Sequence, residues 1–248
     1  MKKFVTLAAV VASIGFVGAA SAADMPVKTV RAPIAAPFYN WTGLYLGGVV
    51  GYGRANGEHC DGSVAAGDNC RAAFPQTDPK GWNAGITLGY NWQLANHVVL
   101  GIEGDWSWGN MKAEAPTSLA FGCGTAIGVD GCFTKIKSFE TIRGRVGYAF
   151  DRLLPYVTAG VAFTQLEASI GVPTLASGST TKSSFVVGGG LEYALWQNLS
   201  AKVEYLYISK LGDFAYDTNG TCGMPGCFVR VGAINEIRFG LNYRFTGL

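Results

Sequence analysis

The sequence predicts an all-β chain, an eight-stranded antiparallel up-and-down transmembrane β-barrel, from its residue alternation, its connection lengths and an aromatic pattern at one end of the strands. The alternation is clearest where Trp82, Ala84, Ile86, Leu88, Tyr90 and Trp92 share one face and Asn83, Gly85, Thr87, Gly89, Asn91 and Gln93 share the other. A period of two is what a strand produces, because successive side chains point to opposite faces. Near the end, Ile237, Phe239, Leu241, Tyr243 and Phe245 repeat it opposite Glu236, Arg238, Gly240, Asn242 and Arg244. The same rule places strands near 41–53, 82–94, 98–108, 136–150, 155–167, 183–195, 199–209 and 232–245.

Connections are long after the first, third, fifth and seventh strands and short after the second, fourth and sixth, where they centre on Ala95-Asn96, Asp151-Arg152-Leu153 and Gln197-Asn198. An up-and-down barrel with tight turns at one end and long loops at the other gives this rhythm. At the turn end the even strands close with Tyr90 and Trp92, Tyr148 and Phe150, Tyr193, and Tyr243 and Phe245. Aromatic rings with a polar edge settle where hydrocarbon meets headgroups, so these residues are expected to form a girdle at one membrane interface.

Alternation alone does not say which face points inward; a soluble, lipocalin-like carrier would have its apolar face inside. Gly85, Gly89, Gly101, Gly147, Gly160, Gly188, Gly190 and Gly240 all fall on the polar faces. Glycine weakens a water-facing strand, whereas the narrow interior of eight strands needs small residues wherever large ones cross it. The polar face is therefore expected inside. With it go the acids Glu103, Asp105, Glu192, Glu204 and Glu236 and the bases Arg143, Arg145, Lys202, Arg238 and Arg244, a balanced set expected to form a lumen ion-pair network. Such a network reads as a structural plug in preference to a selective channel lining, because eight strands leave room for little more than side chains. In the first strand Trp41 and Tyr45 would point inward among glycines, and Glu140, which alternation turns outward, is expected at the loop-side rim or beyond a bulge.

The chain opens with Lys2 and Lys3, an apolar run from Phe4 to Ala20, and Ala20-Ser21-Ala22. That is the layout of a signal peptide over 1–22, followed by a Pro/Ala-rich periplasmic linker over 23–40 and the barrel over 41–248. Loss of Lys2 and Lys3 leaves 17 basic and 17 acidic residues, and so no basic field for nucleic acid. Beyond the leader no run is long and apolar enough for a spanning helix, so a membrane would have to be crossed by strands. The cysteines fall in local pairs, Cys60 with Cys70, Cys123 with Cys132, and Cys222 with Cys227. In an oxidising compartment these read as loop disulfides of unproven connectivity; a metal site would want Cys-x-x-Cys spacing or converging histidines. No cofactor is expected.

Three stretches carry a family resemblance: Trp41-Thr42-Gly43-Leu44-Tyr45-Leu46-Gly47-Gly48, Ile142 to Asp151 with Leu154-Pro155-Tyr156, and Arg238 to Phe245. They resemble the alphaproteobacterial "porin family" of small outer-membrane barrels, related to the OmpA transmembrane barrel and including surface antigens and some proteins described as haemin-binding. The resemblance covers the mature chain and implies an integral outer-membrane location and an envelope role. It implies as partners the outer-membrane lipids, the barrel-insertion machinery and an unidentified partner of the loops. Such barrels usually end on an aromatic residue, whereas Thr246, Gly247 and Leu248 follow Phe245 here.

A structural and surface role is the leading expectation. Loop-mediated haemin binding would draw on His59, Tyr216 and Met224, and a small diffusion channel would need an open lumen. Catalysis is not expected: His59 near Asp61 and Ser63 lies in a long loop, and His97 lies at the opposite end of the barrel.

Overall fold

The computed structural model describes residues 39–61, 77–115, 132–170, 176–217 and 227–245. The leader, most of the linker, the greater part of the long loops and the last three residues lie outside them. The described chain forms β1 (Gly43–Asp61), β2 (Lys80–Gln93), β3 (Val98–Ala115), β4 (Cys132–Tyr148), β5 (Leu153–Ile170), β6 (Ala176–Ala194), β7 (Leu199–Ile208), β8 (Gly212–Asp217) and β9 (Cys227–Phe245). Every pairing is antiparallel, neighbours follow chain order as far as β7, and β9 pairs with both β7 and β1, so the sheet closes into a ring.

The ninth strand does not add a ninth stave. Ile208 of β7 stands opposite Ile234 of β9, and Gly212 of β8 stands opposite Val231 of the same strand. β7 and β8 are thus the lower and upper halves of one stave, interrupted around Ser209 to Leu211. The ring has the expected eight.

Two of the tight turns carry a non-glycine residue in the left-handed region, His97 at φ 66° and Asp151 at φ 52°. Asp is among the residues that tolerate this conformation, and there it reverses the chain beside the Phe150–Leu153 bridge. At the loop end most strands run several residues further than the alternation suggests. β5 and β6 stay paired up to Ile170 opposite Ala176, leaving only residues 171–175 between them where a long loop was expected. The apolar outer pattern ends before the pairing does, because ladder hydrogen bonds do not depend on a greasy outer face.

The expected inside-out arrangement is present through the lower and middle barrel. Trp82, Ile102 and Val157 are at least 60% exposed on the outer wall, while Arg143 and Arg238 are at most 1% exposed. Glu140 faces outward level with Trp106 and Phe163, and the β4 bulge lies just loopward of it, between Ile136 and Ser138.

The lumen as candidate functional site

Three levels fill the interior. At the turn-side mouth, Trp41 packs with Val99, Ala149, Leu154 and Ala194, and Tyr39 leans on them. Trp41 Nε1 donates to the Asp151 carbonyl at 3.0 Å, and its backbone N–H donates to Gln93 Oε1 at 2.7 Å. Tyr39 and Asn40, the end of the stretch read as a linker, are therefore seated against the barrel; burial pushes the Tyr39 phenol above its ordinary value.

Above this mouth lies a charged waist. Glu103 and Asp105 come inward from β3, Arg143 and Arg145 from β4, Glu192 from β6, Lys202 and Glu204 from β7, and Arg238 from β9. Arg143 Nη2 donates to Glu103 at 2.5 Å and to Asp105 at 2.8 Å, and its other terminal nitrogen pairs with Glu204 at 3.2 Å. Arg238 spans Asp105 at 3.0 Å and Glu204 at 2.7 Å. Lys202 donates to Glu103 at 2.8 Å, and Arg145 donates to Glu192 at 2.7 Å. Neutral donors complete the set: Tyr45 to Glu103 at 2.7 Å, Thr141 to Asp105 at 2.6 Å, and Ser200 to Glu192 at 2.6 Å. The Arg145 guanidinium also lies 4.0 Å from the centre of the Tyr156 ring. Enclosed charges persist only where ion pairs and hydrogen bonds replace water, and here each carboxylate is shared between donors from different staves.

Two of the ten residues read as network members stand apart from it. Arg244 lies lower, with its guanidinium against Tyr39 at 4.4 Å and donating to the carbonyls of Asn40 and Gln197, because its inward position is at the mouth, where no described carboxylate reaches it. Glu236 is buried in the lumen, but among the described residues its carboxylate oxygens have no hydrogen-bond partner and no base pairs with it. The sequence placed both on the inner face; alternation fixes which way a residue points, not the height at which it meets a partner.

The third level, toward the loops, is apolar. Ile136, Phe139, Leu166, Leu206, Ile208 and Ile234 are wholly buried there, with Met111 and Val186 among them. Outside, this level is polar, so the sense of the barrel reverses along its length. On β4 and β9 the reversal is geometric: inward positions run odd up to Phe139 and even from Ile136 on β4, and even down to Ile234 and odd from Val231 on β9. Beyond the apolar band, Asp213 of β8 accepts from Arg230 of β9 at 2.8 Å, and that hydrogen bond holds its carboxyl below the ordinary value.

All seven residues expected in the girdle lie exposed on the outer wall at the turn end, with Tyr148 and Phe150 at 4.9 Å and Tyr243 and Phe245 at 5.3 Å between ring centres. A second aromatic ring, not singled out from the sequence, marks the loop side: Tyr52 against Trp82, Trp106 against Trp108, then Phe163, Phe185 and Tyr205. Its signal was in the alternation, Trp82 standing eight residues from Tyr90 on one face. At about 3.3 Å per residue and a tilt of about 40° the two rings lie roughly 20 Å apart, near the ~25 Å apolar band of an outer-membrane barrel. Cys132 is disulfide-bonded. Cys70, Cys123, Cys222 and Met224 lie outside the described residues, as do the side chains of Cys60, Cys227, His59 and Tyr216.

A closed ring of strands with an apolar outer belt between two aromatic rings and charges within defines an integral outer-membrane β-barrel protein. The chain belongs to the family of the outer membrane protein beta-barrel domain, whose model matches residues 9–245. It is 34% identical over 254 residues to the 31 kDa outer-membrane immunogenic protein of Brucella melitensis biotype 1, covering 98% of this chain and all of that one. It is 29% identical over 249 residues to the 25 kDa outer-membrane immunogenic protein of Brucella abortus biovar 1, covering 99% of each, and 28% identical over 227 residues to the 22 kDa outer membrane protein of Rhizobium leguminosarum bv. viciae, covering 90% and 83%. Among solved structures it is similar in fold to OprG of Pseudomonas aeruginosa, with a TM-score of 0.57 at 12% identity, covering 84% of this chain and all of that one.

Proposed function

We propose that this protein is a structural, surface-exposed component of the outer membrane whose barrel is plugged, and that it is neither a solute channel nor an enzyme. The observation that carries the reading is the pair Arg143 and Arg238, wholly buried at the waist, each clamped between a carboxylate of the neighbouring strand and one from across the ring: Glu103 and Glu204 for Arg143, Glu204 and Asp105 for Arg238. Opening a path there would require breaking several enclosed ion pairs at once, each costly to leave half-made. The mouth cluster around Trp41 and the apolar level above the waist add two further closures. Each carboxylate of the waist is engaged by cations, so among the described residues none of Glu103, Asp105, Glu192 and Glu204 is left as a free base beside a nucleophile.

The partners follow from the same reading. Outer-membrane lipids cover the belt between the aromatic rings, the barrel-insertion machinery places the chain, and the external loops meet whatever lies outside the cell. The names of the Brucella relatives as immunogenic proteins support that last exposure. Planar-bilayer recording of the refolded protein tests the plug: the baseline should stay free of solute-pore steps, and regular openings of porin size would overturn it.

A further inference from the structure

The outer wall changes character just loopward of the upper aromatic ring. Arg54 stands opposite Lys80, Lys80 opposite Lys112, and Lys112 opposite Lys135, so cations from β1, β2, β3 and β4 form one lateral row. All point outward, their chain neighbours Ala55, Met111, Thr134 and Ile136 being buried inside. On β4 this is the work of the bulge, since strict alternation from Arg143 through Phe139 would have turned Lys135 and Lys137 into the lumen.

Neighbouring strands lie only about 4.8 Å apart, and like charges placed opposite one another destabilise a sheet. Among the described residues only Arg54 in this row has a carboxylate in ion-pair distance, Asp78 at 2.6 Å; Glu167, opposite Lys135, is bonded to Lys137 instead. The row therefore carries an excess of positive charge that an anion would relieve. At its β4 end it opens into a hollow of about 840 Å³ lined by Lys112, Lys135, Ser177 and Ser179 together with two carboxylates, Glu114 and Glu167, the latter paired with Lys137. On the same wall a groove of about 510 Å³ runs down from the level of Trp106, Glu140 and Phe163, with Leu46, Ile86, Leu88 and Ile142 along it. The groove exists because Gly104 faces outward with open space where a side chain would stand, the nearest atom being the Thr141 carbonyl oxygen at 3.7 Å.

Cations above, aromatic rings between and an apolar groove below reproduce, in order along the barrel, the parts of an amphipathic anion. We propose that this face of β1–β4 binds a phosphorylated lipid of the surrounding leaflet, its phosphates on Arg54, Lys80, Lys112 and Lys135 and an acyl chain in the groove over Gly104. Lysine serves phosphate as a point charge and needs no fixed fork geometry, which suits a row held only by strand register. Glu140, in the upper lining of the groove on the side of the row, would repel a phosphate and accept from a headgroup hydroxyl or ammonium, which sets the height at which the phosphates sit. The site is independent of whether the lumen conducts.

The test is binding of bisphosphorylated lipid A to the folded barrel in zwitterionic detergent, read as retained adducts by native mass spectrometry. The comparisons are dephosphorylated lipid A, inorganic phosphate as competitor, the triple variant Lys80→Gln/Lys112→Gln/Lys135→Gln, and Lys210→Gln on the opposite wall. The wild type should retain the phosphorylated lipid, lose most adducts when the phosphates are removed, and ignore equimolar inorganic phosphate. The triple variant should weaken binding by about tenfold or more, since each cation near a charged lipid surface is worth about 1 kcal/mol, and Lys210→Gln should not. Gly104→Leu, which fills the groove in open space, should weaken binding with the cations intact and serves if the triple variant does not fold. Equal binding of both lipid forms, displacement by inorganic phosphate, or binding unaffected by the triple variant or by Gly104→Leu would overturn the proposal.

Discussion

The charged waist and the apolar level above it are both sealed from solvent, yet they constrain the barrel in different ways. In the upper level Phe139, Leu166, Leu206 and Ile234 meet by shape alone, and such contacts tolerate sliding and repacking. In the waist Arg238 must reach Asp105 and Glu204 together, and Arg143 must reach Glu103, Asp105 and Glu204, so β3, β4, β7 and β9 are held in one register. The upper level supplies burial, whereas the waist penalises every other alignment. A barrel whose outer belt faces lipid gains little from apolar burial there, which makes the enclosed charges its main source of specificity.

Three substitutions sharpen that contrast. Arg238→Met leaves Asp105 and Glu204 to Arg143 alone and should cost about 3–5 kcal/mol, the price of breaking an enclosed pair on one side. Urea unfolding of the refolded protein, followed by loss of the heat-modifiable gel shift, measures it; a cost below that of a surface mutation would mean that water reaches the waist. Leu206→Ala in the upper level should come next, at about 2–5 kcal/mol for a leucine deleted from packed surroundings. Its loss should be recovered in part by collapse of its neighbours, which no repacking can do for a missing charge. Glu236→Gln should have the smallest effect, within about 1 kcal/mol, because no described base hydrogen-bonds that carboxylate. Glu204→Gln in the same assay supplies the scale, and equal losses from the two would erase the distinction between the network and its unpaired neighbour.

The inner face of the middle barrel was readable in the sequence because its chemistry is unlike that of the outer face at every step. Glu103 and Asp105 alternate with Gly104 and Trp106, and Arg143 and Arg145 alternate with Ile142 and Val146, so direction follows from parity alone. The loop-side third was not legible in the same way. There Lys135 and Lys137 lie outside and Ile136 inside because one extra residue in β4 shifts the phase, and nothing local distinguishes a bulge from an ordinary strand residue. The soluble alternative, apolar within and polar without, does describe that third, although it fails for the rest of the ring. Partner choice within the lumen was equally out of reach: Arg244 and Glu236 have the same parity as Arg238 yet sit apart from the network, since height around a tilted ring depends on register between strands distant in sequence.

Arg238 lies on the last stave and meets Asp105, 133 residues earlier in the chain. A nascent sheet lacking β9 would hold Asp105 and Glu204 without that cation, with β1 still an open edge. Neutralisation and ring closure therefore fall in the same step, late and long-range, where contacts far apart in sequence make folding slow and cooperative. An incomplete barrel carries its own penalty until its final strand arrives, which gives the cell a built-in distinction between a finished protein and one that should not be released into the membrane.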